Sequence, residues 1–441
     1  MASHCRIAPV RAVGVVSLTA LSVNTVIGAG IFALPATVDQ LLGAASPLAY
    51  LTAGIAVLFI ALCFAEAGSQ FEASGGPYLY AVTAFGAFAG FEVAWMYLLA
   101  RLTALAAVSN TFSSYLGYLW PGMQQGIGRL AAITIMIGGL TATHLAGVRP
   151  GKVVNNVFTV GKLVPLVIFC GAGLFLLHLH AAPVGAIPGA YPLQQASLLL
   201  MFALGGFEAA SIPSEEVIHP KRSVPAALLG SVGLVVVLFL TIQVVAIAAL
   251  PGLGASETPL ASAARGFLGP AGGLMLTAGA VLSTAGTNHA NLFTGSRILY
   301  AMGRDGQLPP RLAWLHPRYG TPAVAILTYA TVAWVLAVSS AFAKLAALSA
   351  LARVLMYAST CLAVPVLRRR REVSGERGFR LPGGLAIAAA AVGVCAWLVS
   401  GSSAREVMAA AGALTVGAFV YGLVQFRKHS GDKVARVTAP F

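Results

Sequence analysis

Charge is what this chain has least of. Asp, Glu, Lys and Arg make up 9% of its 441 residues, against about a quarter in an average soluble domain. Too few polar groups exist to coat a water-soluble surface, and 58% hydrophobic residues with a mean hydropathy of +0.85 agree with that. No nucleotide-binding glycine loop, no paired-carboxylate motif and no segment polar enough for a soluble domain is present, which argues against an enzyme and against an ATP-driven pump. Cysteines at 5, 63, 170, 361 and 395 keep no metal-ligand spacing and mostly sit in apolar runs as small packing residues, so neither metal nor cofactor is expected. The first apolar run starts near Val13 without a small-residue cleavage pattern, so a cleavable leader is not expected either.

What the chain does have is apolar stretches long enough to cross about 30 Å of hydrocarbon as helices. Twelve are expected, at 13–36, 45–66, 82–109, 130–148, 153–177, 195–215, 225–249, 271–302, 323–340, 343–366, 384–400 and 406–424, the gap at 341–343 being the least marked division. This predicts an all-α polytopic membrane protein, one transmembrane domain over 1–441. With both termini assigned to the cytoplasm, only Arg129, Arg265, Lys344 and Arg405 fall on the far side, and Arg101, Lys162 and Arg353 fall within spans. Every other Lys and Arg is then cytoplasmic, including the run Arg368 to Arg371, which is the positive-inside signature of a multi-pass plasma-membrane protein. The +14 net charge thus reads as topology and attraction to anionic lipid, with no nucleic-acid partner expected. Monomer and homodimer both stay open.

Two of the spans are interrupted. NTVIGAGIFALPATV (24–38) gathers Gly28, Gly30 and Pro35, and MFALGGFEAASIPSEE (201–216) gathers Gly205, Gly206 and Pro213. Such residues weaken helix interiors, and in a bilayer the freed backbone groups are tolerated only where they face a cavity or ligand. The breaks head two five-helix halves, about 13–177 and 195–366. An odd number of crossings per half makes the second enter from the opposite side, an inverted repeat, with 384–424 left as two peripheral helices. At the first break, amides of Gly28, Ala29 and Gly30 suit a carboxylate at a half-helix N-terminus. At the second, carbonyls of Phe202, Ala203 and Leu204, beside Gly205, suit an ammonium. Together they would grasp both ends of a zwitterionic α-amino acid. Close packing of small residues is the competing explanation.

Phe202 and Phe207 are candidate gates, and Thr25, Ser283, Thr284 and Asn288 candidate pocket residues. Lys162, in VGKLVPLVIF, sits well inside the fifth span, where an unpaired lysine is costly and reads as functional by default. Removal from water disfavours an ammonium, which makes Lys162 a candidate for proton exchange. Its expected partners are carbonyls near Ile27 or Gly28; the alternative is a permanently charged fastener or a snorkelling side chain. Glu208 is expected to cap freed amides or to titrate. Glu92 shares the third span with Arg101, nine residues on. Glu215 and Glu216, with Lys221 and Arg222, form an inner gate or simply fix loop geometry.

IGAGIFALP (27–35), GGFEAASIPSEEVIHPKRSVP (205–225) and SRILYAMGRDGQLPPRLAWLHPRYGTP (296–322) resemble, in order and over nearly the full length, the amino acid-polyamine-organocation transporter superfamily. The resemblance implies a leucine-transporter-like fold of ten core and two peripheral helices. It places substrate carboxylate at Gly28, Ala29 and Gly30, and amine binding and gating at Phe202, Ala203 and Leu204. VGKLVPL looks like the fifth-span segment of proton-dependent members, whose lysine Lys162 matches. Ala29 departs from the serine of some relatives, losing a hydroxyl but not the amide. The expectation is proton-coupled uptake of neutral amino acids driven by a proton gradient. Amino acid exchange is the alternative, as is cationic amino acid or polyamine transport if Glu208 faces the cavity; a channel or receptor is the alternative of a different class.

Overall fold

The computed structural model describes residues 14–71, 76–147, 152–177, 188–208, 217–374, 379–380 and 383–437. Among them there are helices and no strand: α1 (Val15–Val26), α2 (Gly30–Leu42), α3 (Ser46–Gly68), α4 (Pro77–Phe85), α5 (Ala87–Leu119), α6 (Gly126–Leu145), α7 (Lys152–Leu176), α8 (Ala190–Leu204), α9 (Pro220–Ala249), α10 (Pro259–Arg304), α11 (Ala323–Ser339), α12 (Phe342–Ser374), α13 (Leu385–Ser400) and α14 (Ala404–Val437). A helix satisfies its own amides and carbonyls, so runs of Ala, Leu, Val and Ile entering lipid have no other open form available. Seven stretches of the described residues are long and apolar enough to cross a membrane, and five shorter apolar helices accompany them. The chain is an all-α polytopic membrane protein; twelve crossings stays an expectation from the sequence.

Several elements differ from the predicted boundaries. The first predicted span is two half-helices, α1 and α2, and the sixth stops at Leu204. The stretch Pro251 to Pro270, left between the predicted spans at 225–249 and 271–302, carries the first turns of α10. A bend at Gly269, whose φ of 69° is open to glycine, separates them from the long remainder. The expected division at 341–343 is real but falls at Ser340 and Ala341. The arginine run at 368–371 continues α12 as helix, because arginine is a good helix former and a helix leaving the bilayer has no reason to stop there.

α5 runs through the middle of the molecule, packed against α4, α10, α11 and α12, while α3 lies against α8, α9, α12 and α13. One contiguous apolar core joins α1, α2, α3, α5, α8, α9, α10 and α12. α14 leans on α5 and α12 and hides only 11% of its apolar stretch, leaving the rest to face outward. The breaks in α1/α2 and after α8 therefore lie in the interior of the bundle, where backbone groups freed by a break can be met by side chains.

Candidate functional site

α1 ends in Ile27, whose ψ of 88° leaves the helix, and α2 resumes at Gly30. The last carbonyls of a helix lack amide partners. Here Lys162 of α7 supplies two, its Nζ donating to the carbonyls of Asn24 (2.5 Å) and Ile27 (2.8 Å). The ammonium also sits at the negative end of the α1 dipole. On the other side of the break, Phe32 and Ala33 turn their amides back to the Ala29 carbonyl. The amides of Gly28, Ala29, Gly30 and Ile31 have no such acceptor among the described residues.

α8 stops at Leu204. Gly205 is extended (ψ 153°) and Gly206 takes φ 116°, which a side chain would resist. The two breaks pass against each other. A Cβ on Gly30 would stand 2.6 Å from Ala203 Cβ, and one on Gly206 would stand 3.1 Å from the Thr25 carbonyl oxygen. At that crossing the glycines serve close packing, so Gly30 and Ala203 touch each other rather than flank a ligand there.

Beside the crossing lies a cavity of about 110 Å³, room for several waters or the polar head of a small solute. Of the predicted residues, Thr25, Gly28, Ala29, Gly30, Lys162, Phe202, Gly205 and Ser283 line it. Ile27, Ala203 and Leu204 are fully packed and offer the region only their backbone. Three predicted side chains go elsewhere. Phe207 belongs to an aromatic cluster with Phe64 and Tyr357, at centroid distances of 5.6 and 5.2 Å. Asn288 faces α5, donating to Ser109 Oγ (3.0 Å) and the Leu105 carbonyl (3.3 Å). Thr284 donates to its own helix at Ala280. Asn291, one turn from Asn288 and rotated from it, lines the cavity instead, as do Thr287 and His289, none of which sequence reasoning had singled out. The His289 ring stacks on His144 of α6 at 4.4 Å.

Glu208 is fully buried just past the second break and does cap a freed amide: Oε2 accepts from Gly206 N and from Tyr357 Oη, both at 2.8 Å. Its Oε1 lies 3.4 Å from Arg353 Nη1 of α12 and 3.9 Å from Arg101 Nη2 of α5. Arg101 is held further by Tyr97 Oη (2.5 Å) and Asn291 Oδ1 (3.2 Å). Both arginines line the cavity, whereas Glu208 stands behind them. Glu92 is not their partner. It lies on the opposite side of α5 against Gly417 of α14. The gate suggested for Glu215 and Glu216, and Pro213, lie outside the described residues.

The sequence pattern of the amino acid permease family matches residues 13–419. The chain belongs to that family. Among its relatives, the branched-chain amino acid permease BcaP of Bacillus subtilis is 27% identical and the methylthioribose transporter of the same organism 28%. Each alignment covers 95% of this chain and 94% of the relative. The human large neutral amino acids transporter small subunit 2 is 31% identical over 72% of this chain and 62% of its own.

In this permease the cavity lies between two wider spaces. Phe202 lines it and meets the Phe342 ring edge-on at 5.8 Å; Phe342 in turn borders a space of about 620 Å³ with Asn110, Arg129 and Ser340. Toward the other side, Tyr97, Leu21 and Phe293 border a mostly apolar space of about 540 Å³. Tyr97 is bonded to Arg101, so a single layer of side chains parts that space from the cavity.

Proposed function

We propose that this permease is a secondary active transporter that moves amino acids across the plasma membrane by alternating access, with Lys162 linking transport to protons. The observation that carries the reading is the cavity flanked by unpaired amides at the start of α2 and by the end of α8, with the Lys162 ammonium bonded to the end of α1. The amides offer a carboxylate its donors, and the terminal carbonyls of α8 offer an ammonium its acceptors. A deprotonated Lys162 loses its charge and its strongest bonds, which loosens α1 and favours a different arrangement of the bundle. Arg101, Arg353 and His289 share the cavity with it. The proposal carries with it the inverted halves at about 13–177 and 195–366, the peripheral pair at 384–424 and both termini in the cytoplasm.

Cationic amino acids and polyamines fit poorly, because Glu208 is enclosed by Arg353, Arg101 and Tyr357 and offers the cavity no free carboxylate. The test is uptake into proteoliposomes of the full chain with and without an inward proton gradient, over the standard amino acids. Accumulation against the substrate gradient that collapses with the proton gradient supports symport. Counterflow indifferent to protons assigns exchange, and unsaturable flux in either direction assigns a channel.

A further inference from the structure

Among the described residues the cavity wall carries three cationic side chains and no acidic one: Arg101, Lys162 and Arg353 line it, at 6%, 5% and 4% exposure. The nearest carboxylate among the described residues, Glu208, answers one of them and is itself held by Gly206 and Tyr357. Carbonyls hold Lys162 without cancelling its charge. The helix ends at the breaks add partial charges of both signs, positive from α2 and negative from α1 and α8, each worth about half a charge. Among these side chains the surplus is two positive charges with Lys162 protonated and one without, and the helix ends together lower it by about half a charge. A zwitterion adds nothing to that balance, and uncompensated charge deep in a bilayer is costly.

The donor inventory points the same way. Nε of Arg101 and Nε of Arg353 are both buried without a hydrogen-bond partner. The two guanidiniums come together on one oxygen, Glu208 Oε1. Arg353 crosses the face of Gly205, where a Cβ would collide with its guanidinium, so its head lies at the α8 break itself. Two planar arginine forks meeting beside a cavity, each with an idle N–H, form a carboxylate receptor.

We propose that Arg101 and Arg353 make the side-chain subsite of this permease and that its substrates are acidic α-amino acids, aspartate or glutamate in size. The main-chain carboxylate lies on the Gly28 to Gly30 amides, the ammonium at the end of α8, and the side-chain carboxylate on the two arginines. Bound this way, the substrate's net negative charge cancels the side-chain surplus left when Lys162 is neutral. The assignment rests on reading the cavity as the amino acid site.

The test is ligand-induced thermal stabilisation of the purified full chain, followed by uptake in proteoliposomes, with L-glutamate, L-aspartate, L-leucine, L-lysine and sodium chloride against sodium gluconate. Glutamate or aspartate should stabilise and be taken up, and leucine and lysine should not. Arg353→Gln should weaken acidic-ligand binding by roughly thirtyfold or more, the low end for truncating one partner of a buried charge pair. Should that variant fail to fold, Arg353→Gln with Glu208→Gln removes both charges together and should show the same loss. Leucine binding with glutamate ignored overturns the acidic assignment and leaves amino acid transport standing. Stabilisation by chloride alone makes the arginines an inorganic-anion site and overturns it too. Failure of every amino acid in both assays overturns the amino acid site as well.

Discussion

Replacing Gly30 by alanine tests the crossing of the two broken helices directly. The new methyl would stand 2.6 Å from Ala203 Cβ, 2.7 Å from Ala203 Cα and 3.3 Å from Ala203 N. Carbon atoms in ordinary contact rest about 3.5–4.0 Å apart, so α2 and α8 must separate by about 1 Å. Two of the three atoms struck are backbone, and no rotamer change relieves them. Overpacking of this kind costs about 1–3 kcal/mol, charged only to the arrangement in which the helices touch. Any arrangement that parts them gains population by about 5- to 150-fold. In proteoliposomes, using whichever of L-glutamate or L-leucine the wild type accumulates, Gly30→Ala should lower the maximal uptake rate by about tenfold or more. Adding Ala203→Gly should restore part of that loss, since the Ala203 Cα clash remains. Gly138→Ala and Gly139→Ala, with nothing within 4 Å of their Cβ positions, serve as controls and should be silent. Wild-type uptake by Gly30→Ala would refute the reasoning, for it would mean that no obligatory state brings these helices together.

Lys162→Met removes both donors to the Asn24 and Ile27 carbonyls; two stranded buried acceptors at about 1–3 kcal/mol each should lower the melting temperature in detergent, and the dependence of uptake on external pH should flatten. An unchanged pH profile would remove Lys162 from proton coupling. Glu208→Ala leaves Arg353 and Arg101 without their shared carboxylate and should destabilise the fold by about 3–5 kcal/mol, with Glu208→Gln clearly milder; equal melting temperatures for the two would deny the charge its structural part. Phe202→Ala opens the aromatic layer between the cavity and the 620 Å³ space, so bound substrate should dissociate several-fold faster in a filter-binding chase, and an unaltered off-rate would place the barrier elsewhere.

Much of the site was legible in the sequence because its logic is local. Gly28, Ala29 and Gly30 announce a break within a few residues of one another, and a lone lysine in an apolar run demands a polar partner, which the freed carbonyls of α1 supply. Side-chain direction was less legible, because it is set by helices distant in sequence. Nine residues turn a helix through about 900°, so Glu92 and Arg101 face opposite ways, and only the placement of α8 and α12 around α5 gives Arg101 its partner. Asn288 and Asn291 differ by about 60° around the same helix, enough to point one at α5 and the other into the cavity. Phe207 follows a glycine at φ 116°, a turn that sends its ring into the Phe64 and Tyr357 cluster. The arginine pair was visible as two charges within spans, but nothing in the spacing of 101 and 353 says that they meet.

The bond from Lys162 to the tip of α1 has a mechanical side. A hydrogen bond tolerates only a few tenths of an ångström of stretch before it weakens steeply, so that half-helix is moored to α7. If α1 swings, it must tow α7 with it or leave the ammonium without its carbonyls in a cavity that it shares with Arg101 and Arg353, and that second course is costly within a membrane. On the proposed link to protons, shedding the proton slips the mooring, which would make the freedom of α1 to tilt something that acidity on either side of the membrane can ration.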